Sequence, residues 1–220
     1  MSFLSSKCCE LSVKVNEELK EICESYVYSN DTECIIYIVD STSRLYTVNP
    51  VTAAATLIGP VGFSSVTDIA WDGTTLYGIT GGQLISINTT TGAGTLIGSF
   101  SAPSNALDAD PSGVLYMMGG NNLYTIDKVT AVPTLVGPMG GGLSSSGDLA
   151  FDAAGNLYGS FSGGILGRID PVTAAAAPIG PFGFNPVYGL DFCDGVLYGI
   201  TSGGQLLTVN TATGAGTLVV

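Results

Sequence analysis

Short apolar stretches alternate with polar and glycine-bearing positions along most of the chain, and within each stretch the alternation has a period of two. Between 67 and 98, apolar and β-branched residues come in four bursts, at 67–71, 75–79, 84–88 and 94–98. That pattern predicts strands, because successive side chains of a strand point to opposite faces. The residues between the bursts predict the turns. Gly81-Gly82, Gly119-Gly120, Gly163-Gly164 and Gly203-Gly204 supply the positive φ of tight hairpins. Asn49, Asn88, Asp127, Asp170 and Asn210 open a second kind of turn, in which the side-chain oxygen accepts a backbone N–H two residues on. Thr52, Thr91, Thr130, Thr173 and Thr213 follow three residues later, and Gly92 and Gly214 then suit a bulged turn.

The whole arrangement recurs. One phrase stands at 45–59 (LYTVNPVTAAATLIG), 84–98 (LISINTTTGAGTLIG), 123–137 (LYTIDKVTAVPTLVG), 166–180 (LGRIDPVTAAAAPIG) and from 206 (LLTVNTATGAGTLVV), at steps of 39, 39, 43 and 40 residues. A second phrase precedes each of the last four copies: DIAWDGTTLYGIT, LDADPSGVLYMMG, DLAFDAAGNLYGS and LDFCDGVLYGIT. A four-stranded unit of about 40 residues has the size of one β-propeller blade. A β-helix repeats at shorter periods, and a sandwich need not repeat at all. The sequence therefore predicts an all-β chain, a five-bladed β-propeller of four-stranded blades over residues 25–220. Four full units and the partial first unit (35–39, 45–48, 55–58) account for nineteen strands, and five blades need twenty. Residues 25–28 (SYVY), followed by Asn30-Asp31 as a turn, are the expected missing inner strand. This phase leaves no interleaved closing strand. Closure then rests on face packing between blades one and five, the alternative being blades joined across chains.

The repeated phrase resembles bacterial propeller repeats of the form L-Y-x-V-N-x-x-T-G-A-A-T-L-I-G, found in surface and secreted proteins, and DAAGNLYGS resembles the turn of NHL-type blades. The resemblance covers roughly residues 35–220. It implies the fold and is nearly silent on activity, because such folds host many functions.

Residues 1–24 break the pattern. Leu11, Val15, Leu19, Ile22 and Tyr26 fall at steps of four, four, three and four, one stripe of a helix whose opposite face is charged. A lone helix of this length is marginal in water, so the stripe needs a surface, on its own propeller or on a neighbouring subunit. Cys8, Cys9, Cys23 and Cys34 lie in or beside this arm, and Cys193 is the fifth cysteine. An odd number leaves at least one thiol unpaired within a monomer, so cross-links between subunits stand beside the alternative of five reduced thiols with Cys193 buried in a strand. No C-x-x-C and no standard zinc spacing is present, so no metal site is expected.

Charge and composition narrow the partners. The net charge is −12 and only 11% of residues are charged, against a usual share of about 25%. An acidic chain repels nucleic acid and anionic membrane surfaces. No apolar run is long enough for a spanning helix, and MSFLSSKCCE, interrupted by Lys7 and Glu10, does not read as a secretory signal peptide. The chain is then either intracellular or reaches its place by another route, an extracellular setting or a cell, spore or virion surface being favoured. The absence of histidine excludes Ser-His-Asp and Cys-His nucleophiles and His-ligated metals. Glutamate occurs only in the first 34 residues, and Asp72, Asp110, Asp152 and Asp194 fall in the first hairpin of each blade, where turn formation accounts for them. No cofactor and no enzymatic activity are expected.

Two acids stand apart. Asp108 and Asp191 occupy an inner-strand column that holds Ala70 and Ala150 elsewhere, and can face either the central channel or solvent at its mouth. Two functions follow. The first is a self-assembling structural homo-oligomer or polymer whose cysteine arm (Cys8, Cys9, Cys23, Cys34, with Leu11, Val15, Leu19 and Ile22) docks on or cross-links neighbours. The alternative is a lectin-like propeller binding glycans in repeated pockets built from Trp71, Tyr77, Tyr116, Tyr158 and Tyr198, residues that can equally be core.

Overall fold

The structure, a computed structural model, describes residues 34–219. The predicted helical arm and the expected strand at 25–28 lie outside the described residues. Blade one comprises β1 (Ile36–Val39), β2 (Arg44–Val48) and β3 (Ala55–Pro60). Blade two comprises β4 (Val66–Trp71), β5 (Leu76–Thr80), β6 (Gln83–Ile87) and β7 (Gly94–Ser99). Blade three comprises β8 (Ala106–Ala109), β9 (Leu115–Gly119), β10 (Asn122–Ile126) and β11 (Pro133–Pro138). Blade four comprises β12 (Ser145–Phe151), β13 (Leu157–Phe161), β14 (Ile165–Ile169) and β15 (Ala176–Pro181). Blade five comprises β16 (Val187–Cys193), β17 (Val196–Thr201), β18 (Leu206–Val209) and β19 (Gly216–Leu218). Strands are ordered consecutively and antiparallel in every sheet, and among the described residues no strand is shared between blades.

The blades form a ring. The inner strands β4, β8, β12 and β16 lie side by side in that order, and β1 closes the circle between β16 and β4. Each sheet is too thin to bury apolar surface alone, so the core divides into five clusters, one at each blade interface. Leu45, Val61, Leu76 and Ile85 join blades one and two. Leu84, Leu107 and Met117 join two and three. Met118, Leu149 and Phe161 join three and four. Leu166, Leu190 and Leu207 join four and five. Cys34, Ile36, Val48, Cys193 and Leu206 join five and one, so the ring closes within one chain.

The turns follow the sequence chemistry. The Asn49 Oδ1 accepts the N–H groups of Val51 and Thr52, both at 2.9 Å, and Asn88, Asp127, Asp170 and Asn210 repeat the arrangement. The left-handed residue that follows is Ala53, Ala131 or Ala174 in three blades and Gly92 or Gly214 in the other two. Glycine is required at 92 and 214 by a neighbour rather than by the turn. A Cβ at Gly92 would meet the carbonyl of Gly59, and one at Gly214 the carbonyl of Gly180, each from the preceding blade.

Candidate functional site

The inner strands aim four carboxyl groups at the hub. Asp68 (β4), Asp108 (β8), Asp148 (β12) and Asp191 (β16) line a central cavity of about 660 Å³. Asp148 is buried and the other three are half-buried. Their oxygens are already engaged by backbone. Asp68 accepts its own Ile69 N–H at 2.8 Å and the Leu107 N–H of the next blade at 2.6 Å. Asp148 accepts Leu149 N–H at 2.6 Å and Leu190 N–H of blade five at 2.8 Å. Asp108 accepts Phe151 N–H of blade four at 2.6 Å. Each of these three carboxyl groups thus fastens its own inner strand to the next one round the ring.

Desolvation dominates their acidity. Burial, less offset by Asp148 and the backbone donors, pushes the Asp68 carboxyl up to about 7. Burial and then the Asp68 charge raise Asp148. Burial and then the Asp191 charge raise Asp108, and burial raises Asp191. Four acids in one hub cannot all ionise.

Asp108 and Asp191, left open in the sequence between the central channel and solvent at its mouth, lie on the cavity wall. Asp68 and Asp148 escaped the sequence reading. The signal was present: Asp68 stands two residues before Ala70, so period two puts both on one strand face, and Asp148 relates to Ala150 in the same way.

The tyrosines named for repeated pockets lie chiefly in the seams between blades. Tyr77 and Tyr158 are buried in the clusters between blades. Tyr116 packs on Phe151 with ring centroids 5.0 Å apart, and Tyr158 on Phe192 at 5.5 Å. Tyr37 occupies the same column, unnoticed in the sequence because its blade lacks the preceding phrase, and stacks on Trp71 at 6.5 Å. In each case a tyrosine meets an aromatic ring on the inner strand of the following blade, which makes these rings part of the blade seams. Of the five proposed pocket residues, Trp71 and Tyr198 line the hub cavity.

The cysteine expectation also needs correction. Cys34 is not available to a neighbouring subunit: it is disulfide-bonded to Cys193, with Cα atoms 5.7 Å apart, across the seam of blades one and five. The sequence left this pairing open because the two residues are 159 positions apart. Cys8, Cys9, Cys23, Leu11, Val15, Leu19 and Ile22 lie outside the described residues. Among the described residues, no group of three or more His, Cys, Asp or Glu side chains is arranged to hold a metal ion. Among the same residues, no helix is long and apolar enough to cross a membrane.

Fold and hub together define the chain as a five-bladed β-propeller with a ring of carboxyl ties at its centre. No family model matches it, and no curated protein matches it. Solved structures do. One described under "The de novo evolutionary emergence of a symmetrical protein is shaped by folding constraints" is 22% identical with a TM-score of 0.60, covering 85% of this chain and 90% of that one. A chain of a nidogen/laminin complex is 15% identical with a TM-score of 0.61, covering 84% of this chain and 75% of that one. A structural-genomics protein of unknown function from Bacteroides thetaiotaomicron is 17% identical with a TM-score of 0.60, and the match spans 84% of this chain and 57% of that longer chain. At these identities the likeness is one of fold alone.

Proposed function

We propose that the chain is a non-enzymatic structural subunit that assembles with its own copies through the outer rim of the propeller, its cysteine-bearing arm contacting or cross-linking neighbours at a cell, spore or virion surface. One observation carries this reading. The outer strands β3, β7, β11, β15 and β19 contain no charged residue, and equivalent positions on them hold Leu57, Leu96, Leu135, Pro178 and Leu218, all exposed. The adjoining turns add Val51, Val129 and Val172, which are 76% to 82% exposed. The rim thus presents apolar patches at the blade period on sheet edges that lack the charges by which monomeric proteins protect such edges. Pro60, Pro133, Pro138, Pro178 and Pro181 remove amide donors from those edges, so the contacts would run through side chains rather than through continuous sheet.

Two further features support it. The hub acids bond backbone N–H groups, a structural task rather than a chemical one. With Cys34 and Cys193 joined, three of the five cysteines remain, an odd number suited to linking chains, and the bond itself fits an oxidising setting.

Analytical ultracentrifugation and electron microscopy of the full chain, with and without reductant, test the reading. Assemblies are expected in the unmodified chain. The triple variant Leu57→Glu, Leu96→Glu, Leu135→Glu is expected to disperse them with its melting temperature unchanged. A strictly monomeric chain indifferent to reductant would overturn the reading.

A further inference from the structure

Nearly every charge of the propeller is engaged within it. Among the described residues the cations are Arg44, Lys128 and Arg168. Arg44 is ion-paired with Asp40, and Lys128 with Asp72 of the preceding blade. Arg168 meets neutral acceptors instead. Its guanidinium donates to the Asn156 Oδ1 and, at 3.3 Å, to the Tyr158 hydroxyl, and lies 5.1 Å from the centre of the Tyr158 ring. These contacts hold it, exposed, on the wall of a groove. Asp170 shares that groove but gives its carboxyl to the Val172 and Thr173 N–H groups of its own turn. The repeat does not ask for this arginine. Equivalent positions hold Thr47, Ser86, Thr125 and Thr208, and those equivalent to Asn156 hold Ile35, Thr75, Val114 and Val196. Blade four departs from the repeat at both members of the contact.

One acid is odd in the same way. In the first hairpins of blades two, three and four the carboxyl group builds the turn: Asp72, Asp110 and Asp152 each accept two backbone N–H groups of their own loop. Blade five uses a two-residue turn, Asp194-Gly195, with both residues left-handed at φ 49° and 77°. That turn needs a residue tolerant of positive φ, which asparagine also is, and has no use for the charge. The Asp194 side chain is exposed, and among the described residues no N–H or O–H group donates to it, whereas every other aspartate there is engaged.

We propose that these two charges meet between copies of the chain: Arg168 of one copy binds the Asp194 carboxylate of a second, and its own Asp194 is bound by the partner's Arg168. The register sets Leu157 against Ile169, so Arg168 lies at the end of blade four that carries the β12–β13 hairpin, and Asp194 forms the equivalent β16–β17 hairpin of blade five. Both therefore lie on one face of the ring, on adjacent blades. A two-fold axis running between them sets each against its counterpart and gives two ion pairs per contact. A guanidinium suits this task, because it offers a carboxylate paired N–H donors. The occupant follows from charge complementarity: the described chain carries one cation without a carboxylate and one carboxylate without a donor. The contact rests on the reading of a self-assembling chain, and adds a face to the rim.

Sedimentation of the full chain in reductant at about 0.15 M salt tests it, with the rim substitutions Leu57→Glu, Leu96→Glu and Leu135→Glu present so that only this contact remains. A dimer is expected. Arg168→Thr restores the residue found at 47, 125 and 208, and Asp194→Asn keeps the turn, so neither added change should alter the melting temperature. Each removes both ion pairs and should weaken the dimer about tenfold. Mixing the two variants should recover about threefold of that loss, because a mixed dimer keeps one pair. Monomers in this background, a dimer unaffected by either change, or a mixture no tighter than its parts would overturn the pairing. Assemblies of the unmodified chain would still support the rim reading in each of those cases.

Discussion

The Asp148 side chain of blade four accepts the N–H of Leu190 in blade five at 2.8 Å while accepting that of its neighbour Leu149 at 2.6 Å. One carboxyl group thereby serves two inner strands that belong to different sheets. Among the described residues no strand is shared between blades, so hydrogen bonds of this kind supplement apolar packing at the seams. Asp68 makes the same connection from blade two to blade three, and Asp108 a similar one from three to four.

The tie works through its acceptor oxygens, not through its charge. Asp148→Asn keeps one of the two acceptor oxygens, turns an NH2 donor toward the other backbone N–H and removes an acid from a crowded hub, so at pH 8 it should lose less stability than Asp148→Leu. Asp148→Leu leaves two buried N–H groups without acceptors and should cost about 2–4 kcal/mol. Urea denaturation at pH 8 separates the two, and equal losses for both variants would refute the acceptor account.

The pH dependence has a definite sign. An exposed aspartate titrates near 4, whereas the hub carboxyl groups are raised, Asp68 to about 7. Between those values the folded chain holds protons that the unfolded chain has released, so stability falls as pH rises through that window, and the penalty is complete above the folded value. Asp127 and Asp170, lowered by the N–H groups of their turns, act oppositely, and their contribution is lost as pH falls below about 4. Stability should therefore peak near pH 4–5, with a melting temperature some 5 °C or more above that at pH 8. Calorimetry across pH 3–9 checks this. A flat profile from pH 5 to 8 would count against protonated acids at the hub.

The sequence carried most of the architecture because the blade repeats five times and each copy corrects the reading of the others. The seven strands of blades one and two were read to within two residues of their observed bounds, the repeat carried the strand count to the other blades, and the Asx turns fell where Asn49, Asn88, Asp127, Asp170 and Asn210 stand. What repeats poorly was harder to see. Asp68 and Asp148 alternate with Asp108 and Asp191 between two columns, so neither column looks like a ring until the strands are curled about one axis. The Cys34–Cys193 bond joins the two ends of the ring, and only closure brings them together. The tyrosine column was legible as a pattern, but period two alone does not say whether a strand face meets solvent or the next blade.

That closure makes the disulfide a structural clasp. It spans 159 residues and seals the seam between blades five and one. Cys193→Ser should lower stability by about 2–5 kcal/mol. The loss should appear first as faster amide exchange in β1, β16 and β17. Cys34 and Cys193 are 6% and 2% exposed, so reductant should act only as the seam opens, and reduction should accelerate in moderate urea. Rapid reduction of the folded chain in buffer would contradict a clasp that is buried.

A pair of glycines shows how closely the blades approach at the rim. Gly180 ends the outer region of blade four beneath the turn of blade five, where an added Cβ would lie well inside van der Waals contact of the Thr213 carbonyl, and a Cβ at Gly214 would in turn strike the Gly180 carbonyl. Both obstacles are backbone, which cannot swing aside as a side chain can. At the equivalent junction of blades three and four the left-handed residue is Ala174, and a Cβ at Gly137 would lie 3.1 Å from the Thr173 carbonyl oxygen, farther than its counterpart at Gly180 from Thr213, so that junction is wider. Gly180→Ala and Gly214→Ala should each cost about 2 kcal/mol or more, by forcing blades four and five apart. Gly189→Ala, on β16 with its nearest neighbour at 3.5 Å, should change stability by less than about 1 kcal/mol. Denaturation midpoints of the three variants decide the matter: if Gly180→Ala behaves like Gly189→Ala, the blades are not in backbone contact there.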